Sequence, residues 1–371
     1  MSCIHLTRIQ PPPPSSDELL FLGFNQDFSC IAAGVTNGFR IFNCDPYKET
    51  FKREFSGSIG IVEMLFRCNI LAIVGGEHEP AFSKTKVILW DDNQSSPIGE
   101  LAFKADVKAV KLRREKIVVV LEKYVYVYNF DKLERIRKYE TCPNNKGMVA
   151  LSPIDECVLA FPHTTKGVVR VELLDSDKSH LINAHDSSIN CISLNFDGSR
   201  LATASEKGTL IRVFDTYTGV KLQEVRRGAD RADIYSISFS PDSRFFCTSS
   251  DKGTIHIFAL NNDNQNPSEQ APPITNGSNG NSTSPSALSR KLSTNRKSKI
   301  SFFGGYFGSE WSFSWFKGPE CPSICCFGQD SASVTVFTSE GSYYKLSFDT
   351  DKGGECIRRS FSRFLRGPKG N

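Results

Sequence analysis

Hydrophobic and polar positions alternate over short stretches of this chain, and the same pattern returns seven times. Each repeat contains an alternating apolar stretch, a turn and a further short strand that usually ends at Asp. The repeats cover residues 20–45, 59–91, 104–131, 146–175, 185–215, 232–260 and 320–349. Such alternation is typical of β-strands, because successive side chains of a strand point to opposite faces.

The spacing of the repeats predicts the architecture. Their closing strands end at Asp45, Asp91, Asp131, Asp175, Asp215, Leu260 and Asp349. The intervals are roughly 40–46 residues, except the last, which is about twice as long, and such a period with four strands per repeat is the signature of propeller blades. We therefore predict an all-β, seven-bladed propeller of the WD-repeat type over residues 20–360. A leader (1–19) precedes it, and a basic tail (361–371) follows.

The doubled interval predicts a long insertion in the sixth blade. Residues 261–299 are rich in Asn, Ser, Pro and Gly and nearly empty of apolar side chains, so we expect a disordered loop. Its second half is basic and leads to Phe302, Phe303 and Phe307. Aromatic rings favour the membrane interface, so these three residues are candidates for insertion into a bilayer.

A second aromatic run follows the insertion. Trp311, Phe313 and Trp315 have the period of a strand, and we expect all three to pack into blade six.

Composition narrows the function classes. The net charge is +4, too mild to predict a nucleic-acid partner. The 12 Cys lack the spacing of metal or redox motifs, which predicts reduced thiols in a cytoplasmic protein without metal or cofactor. The six His form no metalloprotease motif, and neither a nucleophile elbow nor a phosphate-binding loop occurs, so we do not expect an enzyme.

The sharpest chemical feature is Val225-Arg226-Arg227-Gly228, between the fifth and sixth repeats. Adjacent side chains of a strand face opposite sides, so each Arg is expected to face a different groove, where its planar guanidinium matches a phosphate. The alternative is a pair of solvated charges at a strand edge. In either case we expect them to be exposed and to contribute little to stability.

Two turns flank this pair in matched positions. Residues 205–209 read S-E-K-G-T, and residues 250–254 read S-D-K-G-T. Their hydroxyls lie beside the expected grooves, although the same pattern is also simply a good hairpin turn.

These segments resemble the PROPPIN family, called WIPI proteins in animals. The resemblance rests on ASEKGTLIRVFDT, the RRG motif and SSDKGTIHIFAL within residues 185–258. NILAIVGG (69–76), KVILWDD (86–92) and FNQD (24–27) are similar to the family's early blades, so the likeness covers the chain outside the predicted loop. Val225 departs from the family pattern, which has Phe or Leu there.

The resemblance implies a seven-bladed propeller that binds phosphatidylinositol 3-phosphate and phosphatidylinositol 3,5-bisphosphate at two rim sites. The implied residues are Arg226, His185, Ser205 and Thr209 for the first site, and Arg227, Ser249, Ser250 and Thr254 for the second, with Gly228 completing the motif and Arg231 or Lys252 as further candidates. His185 has an alternative role as the anchor of a turn.

The resemblance also implies a place of action. The protein is expected to be peripheral on preautophagosomal and endolysosomal membranes and to recruit partners there. Asn25 and Asp27 resemble the surface that some members use to hold the autophagy lipid-transfer protein, although N-x-D is also an ordinary turn. The competing interpretation is a WD-repeat scaffold that does not bind lipid directly.

Overall fold

The computed structural model describes residues 3–5, 18–261 and 310–365. Every regular element in these ranges is a β-strand, and the strands form seven sheets that follow one another around a ring. The predicted seven-bladed propeller is confirmed. Most of the predicted loop, together with Phe302, Phe303 and Phe307, lies outside the described residues.

The first four blades follow the first four repeats. Blade one contains β1 (Cys3–His5), β2 (Leu19–Phe24), β3 (Cys30–Val35), β4 (Gly38–Cys44) and β5 (Tyr47–Glu54). Blade two contains β6 (Ile59–Met64), β7 (Ile70–Gly75), β8 (Lys86–Asp91) and β9 (Ser96–Ala102). Blade three contains β10 (Val107–Arg113), β11 (Lys116–Leu121), β12 (Tyr124–Asn129) and β13 (Arg135–Glu140). Blade four contains β14 (Ala150–Leu151), β15 (Val158–Pro162), β16 (Val168–Leu173) and β17 (Lys178–Asn183).

The last three blades complete the ring. Blade five contains β18 (Ile189–Leu194), β19 (Arg200–Ser205), β20 (Leu210–Asp215) and β21 (Lys221–Arg226). Blade six contains β22 (Ile234–Phe239), β23 (Phe245–Ser250), β24 (Thr254–Ala259) and β25 (Ser314–Lys317), extended by β29 (Gly354–Glu355). Blade seven contains β26 (Ser323–Phe327), β27 (Ser333–Thr338), β28 (Ser342–Ser347) and β30 (Ile357–Arg363).

Burial falls from the inner strands of a blade to its outer strand. In blade three, β11 is buried except at its first residue, whereas β13 buries only Tyr139. The inner strands pack between two neighbouring sheets, so both of their faces are apolar. The outer strand carries the rim of the ring, and the candidate site residues around Arg226 lie there.

Two predicted boundaries differ from the structure. Part of the leader belongs to the propeller, because Cys3–His5 forms β1 and pairs antiparallel with the inner edge of β2. Part of the tail does too, because β30 runs to Arg363 and the next two residues, Phe364 and Leu365, are buried between blades one and seven. Both segments are too short to show a periodic pattern, and their apolar side chains are what fixes them in place.

The insertion lies between the third and fourth strands of blade six. β24 ends at Ala259, and β25 pairs with it from Ser314 onward. Of the predicted aromatic strand, only Trp315 lies on β25, and Phe313, just before it, is buried as expected. Trp311, which precedes β25, and Trp315, which lies on it, differ from the prediction, because they remain 37% and 40% exposed.

Candidate functional site

The two duplicated turns have the same geometry. The Gly208 amide donates to the Ser205 carbonyl (2.8 Å), and the Gly253 amide donates to the Ser250 carbonyl (3.1 Å). Both glycines have positive φ, 62° and 69°. A Cβ at Gly208 would lie 1.8 Å from the Ala232 carbonyl oxygen, so only glycine fits. The turns are therefore structural, whatever else they bind.

The blade-five turn holds Arg227. The Arg227 amide donates to the Thr209 carbonyl (2.9 Å), its Nε donates to the Gly208 carbonyl (3.0 Å), and Nη2 donates to the Asp230 carbonyl. Thr209, which the resemblance groups with Arg226, thus contacts the second Arg through its backbone. No salt bridge joins Arg227 to a carboxylate in the part of the chain that the structure describes. Burial lowers the pKa of Arg227, and the nearby Asp251 carboxylate opposes this.

Arg226 and Arg227 are each only 6% exposed, which corrects the expectation that both are exposed rim charges. The rim is not flat here, because the turn and the chain around Glu310 cover the end of β21. A desolvated cation is costly unless a partner charge compensates it. For Arg227, whose partners are carbonyl groups, an anion would supply that compensation.

The two Arg side chains belong to opposite faces of blade five. Val225 packs in the apolar cluster between blades five and six, and Arg227 has the same parity along the chain. Arg226 has the parity of Glu224, whose carboxylate pairs with Arg212 Nε at 2.7 Å on the other face. The register of β20 and β21 ends at Arg226, and the hydrogen bond from the Arg227 amide to the Thr209 carbonyl continues it by one residue, so the opposite orientation predicted for the pair agrees with the backbone pairing.

In the first groove, the His185 side chain is held by contacts with Thr203. Its Nε2 lies 3.0 Å from Thr203 Oγ1 and 3.3 Å from the Thr203 carbonyl oxygen. Burial, followed by the Arg212 charge, lowers the pKa of His185 to about 4, so the ring is neutral at pH 7. Ser205 lies two residues after Thr203, at the end of β19, and shares its face. The contacts of His185 are those of a turn anchor, the alternative that the sequence left open.

The second groove separates two residues that the resemblance grouped together. Ser249 Oγ donates to the Ser323 carbonyl oxygen of blade seven (2.6 Å), so this side chain is buried on the far side from Arg227. Ser250 has the parity of Phe246, which packs against blade five, and therefore faces the groove. The predicted headgroup contact of Ser249 is therefore corrected, because its hydroxyl joins blades six and seven.

The structure adds His256 to the second groove. His256 lies two residues after Thr254 on β24 and shares its face. His256 pairs with Trp315 of β25, and Thr254 pairs with Lys317. Burial, with the Arg227 charge second, lowers the pKa of His256 to about 4. Within the described residues its Nδ1 is buried without a hydrogen-bond partner. The sequence could have indicated His256, because it lies two residues after Thr254 and so shares its face of β24. Its pairing with Trp315 could not be predicted, because β25 follows the insertion.

The remaining candidates surround these grooves. A Cβ at Gly228 would meet no atom within 4 Å, so the space beside the motif is open. Arg231 and Lys252 are exposed and line a neighbouring cavity of about 530 Å³. Asp251 and Glu206 line the same cavity, so its charge is mixed.

Asn25 is part of the fold rather than of a surface. It is 0% exposed, its Nδ2 donates to Ser29 Oγ (3.1 Å) and the Phe66 carbonyl (3.2 Å), and its Oδ1 accepts from the Cys30 amide (2.9 Å). Asn195 makes the corresponding contacts with the residues four and five positions later in blade five. The predicted partner contact of Asn25 is therefore corrected, because a fully buried amide has no surface to offer.

Asp27 is half-buried and also serves its turn. Its Oδ1 accepts from the Ser29 amide (3.0 Å) and hydroxyl (2.6 Å), and its carbonyl accepts from Gln329 Nε2 (2.9 Å).

Comparison with known proteins identifies the family. The sequence model of the PROPPIN family matches residues 18–363. The chain belongs to the PROPPIN family. Autophagy-related protein 18 of Dictyostelium discoideum is 36% identical over 357 residues, which cover 94% of this chain and 95% of that protein. The structure of Kluyveromyces lactis Hsv2 has a TM-score of 0.72 at 23% identity and covers 94% of this chain and 100% of its own. KlAtg21, solved in complex with the coiled coil of AgAtg16, has a TM-score of 0.73 at 24% identity, covering 94% and 99%.

Membership of the PROPPIN family places this chain among autophagy-related proteins whose family binds phosphoinositides. The PROPPIN propeller is a scaffold-type fold. No helix in the described ranges is long and apolar enough to cross a membrane.

Proposed function

We propose that this PROPPIN binds phosphatidylinositol 3-phosphate and phosphatidylinositol 3,5-bisphosphate through the two grooves that flank the end of β21. The observation that carries the proposal is the desolvated Arg pair on opposite faces of one strand, with Arg227 held by carbonyl oxygens and by no carboxylate within salt-bridge distance in the described residues. Arg presents a planar fork that suits phosphate oxygens, and its position here is fixed before the ligand arrives.

In the second groove, a phosphate beside Arg227 meets further donors. The hydroxyls of Ser250 and Thr254 and the imidazole of His256 lie on the facing side of blade six. A phosphate near His256 favours the charged imidazolium, so binding is expected to raise the pKa of this ring from about 4. Open space at Gly228 allows a headgroup to approach the backbone.

In the first groove, Arg226 is the cation and Ser205 contributes a hydroxyl. His185 is bonded to Thr203, so it shapes this groove and reaches a ligand only through its other ring nitrogen. Two weak sites on one rigid rim increase avidity, because the second headgroup is met at high effective concentration once the first is held.

Membrane binding serves recruitment in this proposal. The protein acts by binding rather than catalysis, is peripheral on preautophagosomal and endolysosomal membranes and brings partner proteins to them. Asp27 stays a candidate contact for the autophagy lipid-transfer protein, and Phe302, Phe303 and Phe307 stay candidates for bilayer insertion. A coiled-coil partner is present in the solved complex of KlAtg21, which supports a role in protein recruitment.

The test is co-sedimentation with vesicles that contain or lack phosphatidylinositol 3-phosphate, at physiological salt. Wild type is compared with Arg226→Ala/Arg227→Ala. The matched control is Arg135→Ala/Arg137→Ala on β13, which removes the same charge from the exposed outer strand of blade three. Because both rim Arg are buried, a thermal unfolding curve must show that each variant is folded.

Binding that requires both the 3-phosphate and the Arg226–Arg227 pair supports the proposal. Binding that follows bulk negative charge, and that the control pair reduces equally, contradicts it. Absence of binding by folded wild type favours the WD-repeat scaffold without direct lipid contact.

A further inference from the structure

The chain enters the last strand of blade six from a position fixed by blade five. The Arg226 amide donates to the Glu310 carbonyl oxygen (2.7 Å), and Val225 forms a parallel bridge with Glu310. Residue 310 thus extends the outer edge of the strand that carries the Arg pair. The chain then crosses to blade six, where β25 begins at Ser314.

Gln223 fastens both ends of the insertion to this strand. Its Nε2 donates to Glu310 Oε2 (2.8 Å) and to the Ala259 carbonyl oxygen (3.1 Å), and its Oε1 accepts from the Asn261 amide (3.1 Å). Gln223 is buried and has the parity of Val225 and Arg227, so it faces blade six. One side chain therefore fixes where the chain leaves blade six and where it returns. Gln223 lies four residues before Arg227, on the same face of blade five.

The Gln223 clamp places two exposed Trp residues at the rim. Trp311 follows Glu310 directly and is 37% exposed. Trp315 is 40% exposed and pairs with His256, so its ring lies on the face of blade six that borders the Arg227 groove. Indole rings combine a large apolar body with one N–H donor, and they accumulate at the depth of lipid headgroups for that reason.

The charges around these rings are mixed, and the cations among them can meet an anionic bilayer. The exposed Glu355 of β29 pairs with Trp315, and Glu310 precedes Trp311. Lys317 is exposed on the Trp315 face of β25. The Cys356 amide donates to the Trp315 carbonyl (2.8 Å), and two exposed cations, Arg358 and Arg359, follow Cys356 on β30 of blade seven. Cations near the surface are attracted to acidic lipid, at about 1 kcal/mol each. The aromatic and cationic surface is also continuous with the groove that faces the lipid headgroup in the proposed function.

We propose that Trp311 and Trp315 are contacts to the bilayer interface, held at headgroup depth by the Gln223 clamp. The inference rests on the proposed function, because it assumes that a headgroup in the Arg226–Arg227 grooves brings the membrane to this rim. It assigns a membrane-contacting role to two residues that the structure describes, separately from Phe302, Phe303 and Phe307.

Intrinsic fluorescence tests the placement, since the chain has three Trp and the third, Trp90, is buried in blade two. The variants are Trp311→Phe, Trp315→Phe and the double variant, which retains only Trp90 and serves as the blank. The probes are vesicles with phosphatidylinositol 3-phosphate and with phosphatidylcholine brominated near the headgroup or deep in the acyl chains. We expect shallow bromines to quench each single variant more than the blank. Quenching of a single variant that is no greater than quenching of the blank overturns the inference.

Co-sedimentation with the same vesicles separates the two possible failures. If wild type sediments only with the 3-phosphate lipid but its Trp emission is not quenched, the inference fails and the proposed function stands. If wild type does not sediment with 3-phosphate vesicles, the proposed function fails, and the inference fails with it.

Affinity measurements test how much Trp311 and Trp315 contribute to vesicle binding and whether Gln223 positions them. We expect Trp311→Ala/Trp315→Ala to weaken vesicle binding on the order of tenfold, equivalent to about 1.4 kcal/mol, and to leave binding of water-soluble short-chain phosphatidylinositol 3-phosphate unchanged. Gln223→Ala should weaken vesicle binding in the same selective way. Leu181→Ala, an exposed apolar residue on β17, is the control and should change neither. Unchanged vesicle binding, or equal loss of vesicle and short-chain lipid binding by a folded Trp variant, contradicts the inference.

Discussion

The Tyr343 hydroxyl donates a hydrogen bond to the Cys44 carbonyl oxygen over 3.1 Å and so joins the last blade to the first. No strand is exchanged between these blades in the described residues, since blade one is built from N-terminal strands and blade seven from C-terminal strands. The ring is closed by side chains instead, in an apolar cluster that includes Phe42, Phe337 and Phe364.

Tyr343→Phe should destabilise the propeller by about 1 kcal/mol, because it removes one buried hydrogen bond and leaves the packing in place. Urea unfolding measures the loss. Tyr217→Phe, at an exposed turn of blade five, is the control and should have little effect. If the two variants unfold at the same urea concentration, packing alone closes the ring.

Arg227→Ala should cost about 1–3 kcal/mol of stability, because it leaves the buried carbonyl of Gly208 without its donor. Thermal unfolding checks this, with Arg137→Ala on the exposed β13 as the control. A melting temperature unchanged from wild type would mean that water replaces the guanidinium without cost.

Two glycines near the Arg pair should respond in opposite ways to Ala. Gly208→Ala forces a Cβ against the Ala232 carbonyl at positive φ and should destabilise the protein strongly. Gly228→Ala meets open space and should leave stability within about 0.5 kcal/mol of wild type. Its expected effect is on vesicle binding, which should weaken if the headgroup approaches this backbone. Full vesicle binding by Gly228→Ala would place the headgroup elsewhere.

Stability should fall as the pH is lowered from about 6.5 toward 4. His185 and His256 have folded pKa values of about 4 against an ordinary value of 6.5, so the unfolded state binds more protons in this range. Their contribution is fully present above 6.5 and is lost as the pH falls. Melting temperatures at pH 7 and pH 5 measure it. The drop should shrink in His185→Gln/His256→Gln but not in the control His78→Gln, at an exposed residue of blade two.

The propeller could be predicted from the sequence because the pattern that specifies each blade lies within one short stretch of the chain. Each blade repeats the same alternation and turn residues, such as Gly208 and Gly253, so the fold and the opposite orientation of Arg226 and Arg227 follow from periodicity. The assignment of Ser249 failed because the resemblance grouped residues by position along the chain, and neighbouring residues of a strand face different blades. His256 and Trp315 were missed as a pair because β24 and β25 are joined only in space, across the insertion. Asn25 was misjudged because a turn motif looks the same whether its side chain bonds inward or outward.

Replacing residues 262–309 with a short Gly–Ser linker should leave the propeller folded, because the ends of this segment are already held together. Gln223 bonds to Ala259, Asn261 and Glu310, so a linker has only to join neighbouring positions. We expect an unchanged melting temperature by calorimetry and weaker vesicle binding, since the replacement removes the basic run and Phe302, Phe303 and Phe307. As the control, Gln223→Ala in the linker variant should lower its melting temperature. A linker variant that unfolds at a markedly lower temperature than wild type would show that the removed segment belongs to the core of blade six.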